Sequence, residues 1–425
     1  MIDNSAIDDG IVDAKLYASE RGFHQLFEKI RKEDPVHWTQ PHGFDPFWTI
    51  SKHADVTAVE RDPRFINGWR VLVQSQQVEQ HMEKTFGQES KLRMILNMDD
   101  DEHRKYRGLT QIWFNPENLK KLDASLDALA REFIDRMLSF GGQCDFVNDI
   151  AVWYPLRVLM SIFGLPREDE ELLLRLTQLT FGSEDEEVKR KWGKEKEDPA
   201  QVRAESRKAF HEYFTVLMND RRRSPKDDLA SVIANGVVDG KPITDLEVFS
   251  YYVLIATAGH DTTSSSISGG LLALLQNPNE LAKLRSDRTL LGPAVEEMLR
   301  WVTPVKHFAR TAIEDVTLRG KTIKAGERVM LCFASANRDE DVFPDSQSFR
   351  IDRKPNRQLA FGIGPHQCLG LHLGRMEINH FFRELLDRVD DIELAGEPST
   401  SAGIFVNGLK HLPIRYKAKP KQKAA

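Results

Sequence analysis

The sequence predicts a mainly α protein with small β-sheets, built as a single large domain over residues 1–425, and three observations predict it. From about Asn118 to Leu299, leucines and other apolar residues recur at spacings of three and four among charges, the period of amphipathic helices. Short β-like runs stand apart from this stretch, at FDPFWTIS (44–51) and VTLRGKTIKAGERVMLCFAS (316–335), where Arg319-Gly320-Lys321 and Ala325-Gly326-Glu327 read as turns. No internal repeat and no Ser/Gly-rich or Pro-rich linker cuts the chain into independent units.

With 40% hydrophobic and 29% charged residues, the chain has the material for a large core. Its net charge of -6 opposes a general affinity for nucleic acid or anionic membrane and points away from a polyanionic substrate. The opening MIDNSAIDDG lacks the basic flank and apolar run of a signal peptide, and no stretch is long enough to span a bilayer, so a soluble cytoplasmic protein is expected, with nothing demanding more than a monomer. Two polar segments interrupt the periodic pattern, 67–101 and 183–201. The second reads as a solvated loop or frayed helix, or as a lid. The basic tail KAKPKQKAA (417–425) is expected to be disordered.

Cys144, Cys332 and Cys368 are odd in number and widely scattered, neither a disulfide framework nor a zinc knuckle. Cys144 and Cys332 read as small buried hydrophobes. Cys368 differs because it stands in FGIGPHQCLGLHLGR (361–375). Glycines at 362, 364 and 370 let the backbone turn tightly and approach something flat and bulky, and the residues after the cysteine have helical period. The thiol is therefore expected at a helix N-terminus, where aligned N–H groups favour anionic sulfur.

Three further stretches carry chemistry. In EEMLR, Glu297 and Arg300 are three apart and share a helix face. In LIATAGHDTTSS (254–265), small residues, an acid and two threonines interrupt an apolar helix, and Thr262 can bond back to the carbonyl of Ala258, opening a groove. In HRKYR, His103 and Arg107 are four apart and face one way.

The F-G-x-G-x-H-x-C-x-G pattern from Phe361 to Gly370 resembles the cysteine-ligand loop of the cytochrome P-450 superfamily, and the other stretches match family motifs in family order. The resemblance implies haem b, held between the central helix and the cysteine-loop helix, with the Cys368 thiolate as axial ligand of the iron. It implies that Phe361, Gly364, Gly370, Ala258 and Gly259 lie against the haem. His103, Arg107, Arg310 and His366 are implied as contacts to its propionates, which call for cationic partners. Glu297, Arg300 and Arg353 are implied as a buried structural trio, and Asp261 and Thr262 as the relay of protons to O2. Gln358 departs from the histidine common at its position in bacterial members, which should alter only local hydrogen bonding.

Beyond the superfamily, GFDPFWTISKHADV, LTQLTFG, RRRSPKDD, TAGHDTTSSS, TPVKHFARTA, SANRDEDVF and FVNGLKHLPIRY resemble the bacterial α-terpineol hydroxylase family. That similarity implies a haem-thiolate monooxygenase acting on a small hydrophobic cyclic substrate: a monoterpene, a monoterpene alcohol or an alkyl/aryl hydrocarbon. Pocket residues implied by position are Leu176, Leu179, Thr180, Phe181, Ala258, Val305, Phe308, Ile404, Phe405 and Val406, with polar specificity from Thr262 or the 67–90 loop. No flavin or nicotinamide module is present, so electrons are expected from a 2Fe-2S ferredoxin and its NAD(P)H-dependent reductase, meeting positive charges at Lys105, His372 and Arg375. A peroxide-driven peroxygenase and a non-catalytic haem sensor or ligand carrier are the alternatives, and the Asp261–Thr262 pair disfavours both.

Overall fold

A computed structural model of the chain describes residues 4–86, 92–181, 187 and 199–420. The periodic stretch folds into the helices Asp123–Ser139, Trp153–Phe163, Glu170–Phe181, Pro199–Arg223, Asp245–Ala258, Asp261–Gln276 and Leu291–Val302. Their apolar faces meet in one core, where Phe133 packs on Tyr154, Tyr154 on Phe381 and Phe163 on Tyr252. Local signals set the ends. Thr244 and Glu247 form a reciprocal capping box before Asp245–Ala258, and Gly164 closes Trp153–Phe163 in the left-handed region at φ 62.

The main sheet has five strands in the order Val36–Thr39, Phe47–Ile50, Arg328–Cys332, His307–Ala312, Phe65–Ile66. The pairing of Phe47–Ile50 with Arg328–Cys332 is parallel and the others are antiparallel. The run 44–51 thus supplies a strand. The run 316–335 supplies the hairpin Val316–Leu318 and Lys321–Ile323, then Arg328–Cys332, but it stops short of the expected end. Phe333–Ala336 is a helical turn: the Asn337 N–H donates to the Phe333 carbonyl at 2.9 Å, all four residues are buried, and the Ser335 hydroxyl donates to the Ser51 carbonyl at 2.8 Å.

Two other expectations are corrected. The polar segment 67–101 holds the helix Gln76–Phe86 and a short turn Ile95–Asn97, because its charges are used internally, Glu79 pairing with both Arg70 and Arg328. The tail is ordered further than its composition suggests: Pro413–Ala418 pairs with Val389–Leu394, burying Ile414 and Tyr416. Residues 421–425, and the lid expected over 183–201 apart from Glu187 and the helix start at Pro199, lie outside the described residues. Among the described residues no helix is long and apolar enough to cross a membrane.

Candidate active site

Cys368 sits just ahead of the helix Leu371–Arg388, for which Gly370 is the N-cap. The loop before it turns through Gly362 at φ 65 and Gly364 at φ 80, conformations that favour glycine. The Cys368 N–H donates to the Phe361 carbonyl at 2.8 Å, and the Gln367 N–H to that of Gly364 at 3.1 Å. A side chain on Gly364 would lie 2.6 Å from the Glu60 carbonyl oxygen, whereas one on Gly370 would enter open space.

The Cys368 surface is accessible, yet the protein around it is dense enough that burial pushes the thiol up, against the Gly370 N–H and the Arg107 and Arg375 charges that pull it down. The thiol therefore lines an internal cleft. The Gly370 N–H and the two guanidinium charges are the protein groups that favour the anion, and a cation at the sulfur would add to them. Cys144 and Cys332 are buried, and burial pushes both thiols up to about 12, as inert core cysteines should behave.

The central helix is split. Asp245–Ala258 ends and Asp261–Gln276 begins two residues on, with Gly259 and His260 between. Thr262 Oγ1 donates to the Ala258 carbonyl at 2.9 Å, the back-bond expected from the spacing. Gly259 has no room for a side chain, since a Cβ would lie 2.8 Å from the Ile255 carbonyl oxygen, and Ala258 is exposed although most of its helix is buried. A Cβ on Gly374 of the cysteine helix would stand 3.9 Å from both the Phe361 ring and Thr263 Oγ1, so the two motif-bearing helices touch beside the loop. The Asp261 carboxylate accepts from Gln178 Nε2 at 2.7 Å and lies 3.1 Å from His260 Nε2. His260 is fully buried, and its Nδ1 has no hydrogen-bond partner among the described residues.

His103 and Arg107 rise from the helix Asp100–Gln111, and the His103 ring packs on His366 with centroids 4.0 Å apart. Burial, reinforced by neighbouring guanidinium charge, lowers His103 to about 4, and burial with His103, Arg310 and Arg107 lowers His366 to about 2. Among the protein groups alone, burial and the Arg107 and Arg310 charges thus disfavour a proton on either ring. Arg107 Nη2 donates to the Gln367 carbonyl at 2.7 Å. Arg310 Nη2 donates to both Glu60 carboxylate oxygens at 2.9 Å, a partner the sequence did not reveal. Asn67 Nδ2 donates to the Leu96 carbonyl at 2.8 Å and reaches His366 Nδ1 at 3.2 Å.

Glu297 and Arg300 are fully buried and bonded twice, at 2.7 and 2.8 Å, and Arg353 Nε reaches the same carboxylate at 3.1 and 3.2 Å. Asn356 Nδ2 adds a bond at 3.0 Å, so the buried charge is fully used. Phe361 carries the Arg375 guanidinium 4.7 Å from its ring centroid. Gln358 bonds locally, donating to Glu296 and accepting from the Ala360 N–H.

Of the apolar wall, Val305 bridges to Val406 and the Phe308 ring meets Phe405 with centroids 5.3 Å apart, all four residues half-buried. Leu179 is buried. Leu176 and Ile404 are buried as well, each packed in a hydrophobic core cluster. The side chains of Thr180 and Phe181 lie outside the described residues. The expected positive face is also weaker than supposed. Lys105 is bound by Asp101 and Asp239 at 2.8 Å each, Arg375 by Glu296 at 2.5 and 3.0 Å, and burial with the Arg375 charge lowers His372. Sequence reasoning missed Glu60, Asn67 and Gln178, for which no local pattern exists.

The cytochrome P450 family model matches residues 41–393. Cytochrome P450-terp of Pseudomonas sp is 41% identical over 405 residues, which are 94% of this chain and 95% of that protein. Steroid C26-monooxygenase of Mycolicibacterium smegmatis is 31% identical over 97% of this chain and 95% of its own. The crystal structure of CYP108D1 from Novosphingobium aromaticivorans superposes with a TM-score of 0.90 at 41% identity, covering 98% of this chain and 99% of that one. The Mycobacterium marinum cytochrome P450 CYP268A2, solved in complex with pseudoionone, gives 0.86 at 33% identity, covering 95% and 97%. Matched along nearly its whole length by relatives that it also covers almost completely, the chain belongs to the cytochrome P450 family as a cytochrome P450 monooxygenase.

Proposed function

We propose that this monooxygenase hydroxylates a small hydrophobic cyclic substrate of the monoterpene, monoterpene alcohol or alkyl/aryl hydrocarbon class, with electrons from a 2Fe-2S ferredoxin served by an NAD(P)H-dependent reductase, as a cytoplasmic monomer. The observation that carries the reading is the meeting of the cysteine helix and the split helix at Gly374 and Thr263, which sets Cys368 and the Ala258–Thr262 break on one cleft. Similarity to cytochrome P450-terp and the pseudoionone complex of CYP268A2 support the substrate class.

Haem and O2 belong to the family, and the residues present fit haem b. The accessible thiol is a soft donor for iron, the open space at Gly370 admits a flat group close to the backbone, and Arg107 and Arg310 offer guanidinium donors for carboxylates. Cys368 would hold the iron through its sulfur, with Phe361, Gly364, Gly370, Ala258 and Gly259 lining the space for the ring and His103 and His366 beside Arg107 and Arg310 for its carboxylates. When bound, haem supplies the activation of O2 that puts one oxygen atom into a C–H bond and releases the other as water.

The chain does the rest. Val305, Phe308, Phe405 and Val406 exclude water and orient the substrate, since proximity decides which hydrogen is lost. Asp261 holds and passes protons, and the Thr262 hydroxyl, anchored on the Ala258 carbonyl, hands them into the cleft. Glu297, Arg300 and Arg353 hold the fold behind the cysteine loop.

Optical titration of the purified ferric protein with α-terpineol, p-cymene and a bulkier arylcycloalkane tests the reading. A saturable low-spin to high-spin shift with one of them, followed by NADH-driven product, is expected. A thiolate-haem spectrum that responds to none of them would remove the substrate class, and an unchanged spectrum in Cys368→Ala would remove the ligand assignment.

A further inference from the structure

We propose that Glu60 is a positioning residue of the cofactor's carboxylate end, a resident negative charge that acts through Arg310 to set how tightly haem is held and at what potential it is reduced; the inference rests on the haem reading above. Glu60 lies buried in the last turn of the helix His53–Arg61 and touches the site twice. Its carboxylate takes Arg310 Nη2 with both oxygens at 2.9 Å, and its backbone carbonyl fills the space a Cβ on Gly364 would need, 2.6 Å away, in the loop that carries His366 and Cys368.

The charge balance gives the pair its effect. Arg107 and Arg310 bring two guanidinium groups to the site, and the Glu60 carboxylate, paired with Arg310 at 2.9 Å, offsets one of them. Burial pushes the Glu60 carboxyl up while Arg310 pulls it down, so its ionised form depends on Arg310. A carboxylate of the cofactor approaching Arg310 therefore competes with one already in place. A guanidinium has five N–H donors, so Glu60 can hold one nitrogen and fix the plane in which the others are presented. The negative charge so placed disfavours adding an electron nearby, which lowers the potential.

The test uses the haem-loaded full chain. Glu60→Gln keeps the shape and removes the charge, and it is expected to move the midpoint potential to more positive values and to slow haem transfer to apomyoglobin several-fold. In an Arg310→Gln background the same change should do nothing, because a buried Glu60 without Arg310 is already protonated and resembles glutamine. Potential and haem release equal to those of the parent, or shifts of the same size in both backgrounds, would overturn the proposal. Should Glu60→Gln not fold, Glu60→Asp in the two backgrounds decides: altered haem release confined to the Arg310 background supports the proposal, and alteration in both overturns it. A parent protein without a thiolate-haem spectrum would instead count against the haem reading.

Discussion

Gln178 donates its side-chain N–H to the carboxylate of Asp261 across 2.7 Å, joining the helix Glu170–Phe181 to the first residue of the second half of the central helix. His260 Nε2 stands 3.1 Å from the same carboxylate, so the acid is held from two sides. Gln178→Leu removes one charge-assisted hydrogen bond, worth about 1.5–3 kcal/mol. The expected result is a several-fold fall in product formed per NADH consumed, with substrate affinity unchanged. The measurement is the stoichiometry of NADH, O2, peroxide and product. Normal coupling in Gln178→Leu beside strong uncoupling in Asp261→Asn would show that the contact does not matter to the relay.

Thr262→Ala separates the hydroxyl from its neighbour. Its Oγ1 donates to the Ala258 carbonyl at 2.9 Å, and alanine removes that hydroxyl while keeping Gly259 and His260 between the two helices. NADH consumption should continue while oxygen appears as peroxide instead of hydroxylated product. Peroxide yield equal to the parent's would take Thr262 out of proton delivery.

What was legible in the sequence is what has its partner within a turn. Thr262 with Ala258 and Glu297 with Arg300 are read from spacing alone, and the structure pairs them. Glu60, Gln178 and Asn67 were invisible because their partners lie 250, 83 and 299 positions away. The identities of His103 and His366 were readable but their surroundings were not, since the burial and the Arg310 charge that act on them come from distant segments. At Leu176 and Ile404 pattern is silent for a related reason: an apolar side chain shows the same periodicity whether it faces a cleft or the core. The helical run, the hairpin turn at Arg319-Gly320-Lys321 and the turn at Ala325-Gly326-Glu327 followed from pattern, while the strand His307–Ala312 takes its place from pairing with Arg328–Cys332 on one edge and Phe65–Ile66 on the other.

The buried trio should dominate stability. Glu297→Ala strands Arg300 and Arg353 without their carboxylate inside the protein, a loss expected to cost about 3–5 kcal/mol. Urea unfolding of the two proteins measures it. A difference under about 1 kcal/mol, the range of a surface pair, would contradict the burial described.

Gly364→Ala combines two penalties. The residue adopts φ 80, and the new Cβ would meet the Glu60 carbonyl oxygen at 2.6 Å, backbone that cannot swing aside. A destabilisation on the order of 1–3 kcal/mol is expected, read as a lower thermal midpoint, together with faster haem loss because the strain falls in the cysteine loop. Gly370→Ala is the control, since its Cβ meets nothing among the described residues: any haem loss there without a change in the stability of the haem-free chain would come from contact with the cofactor.

His307 makes stability depend on pH. It is fully buried, with one ring nitrogen 3.0 Å from the Ile404 carbonyl and the other 3.4 Å from the Val73 N–H, so Nδ1–H donates and Nε2 accepts. Burial is the main cause that lowers it from 6.5 to about 4, with the Arg328 charge adding to the effect and the Ile404 bond opposing it. Between those two values the unfolded chain binds a proton that the folded chain refuses. The contribution of His307 is therefore complete above 6.5, declines as pH falls toward about 4, and amounts to a loss on the order of 3 kcal/mol across that window. His307→Gln, which can donate and accept without titrating, should unfold with a shallower pH dependence there. Because the His307 ring lies 5.9 Å from Phe405, protonation should also loosen the apolar wall and weaken substrate binding over the same interval. Identical pH profiles of unfolding for parent and variant would mean that His307 accepts its proton without disturbing the strand.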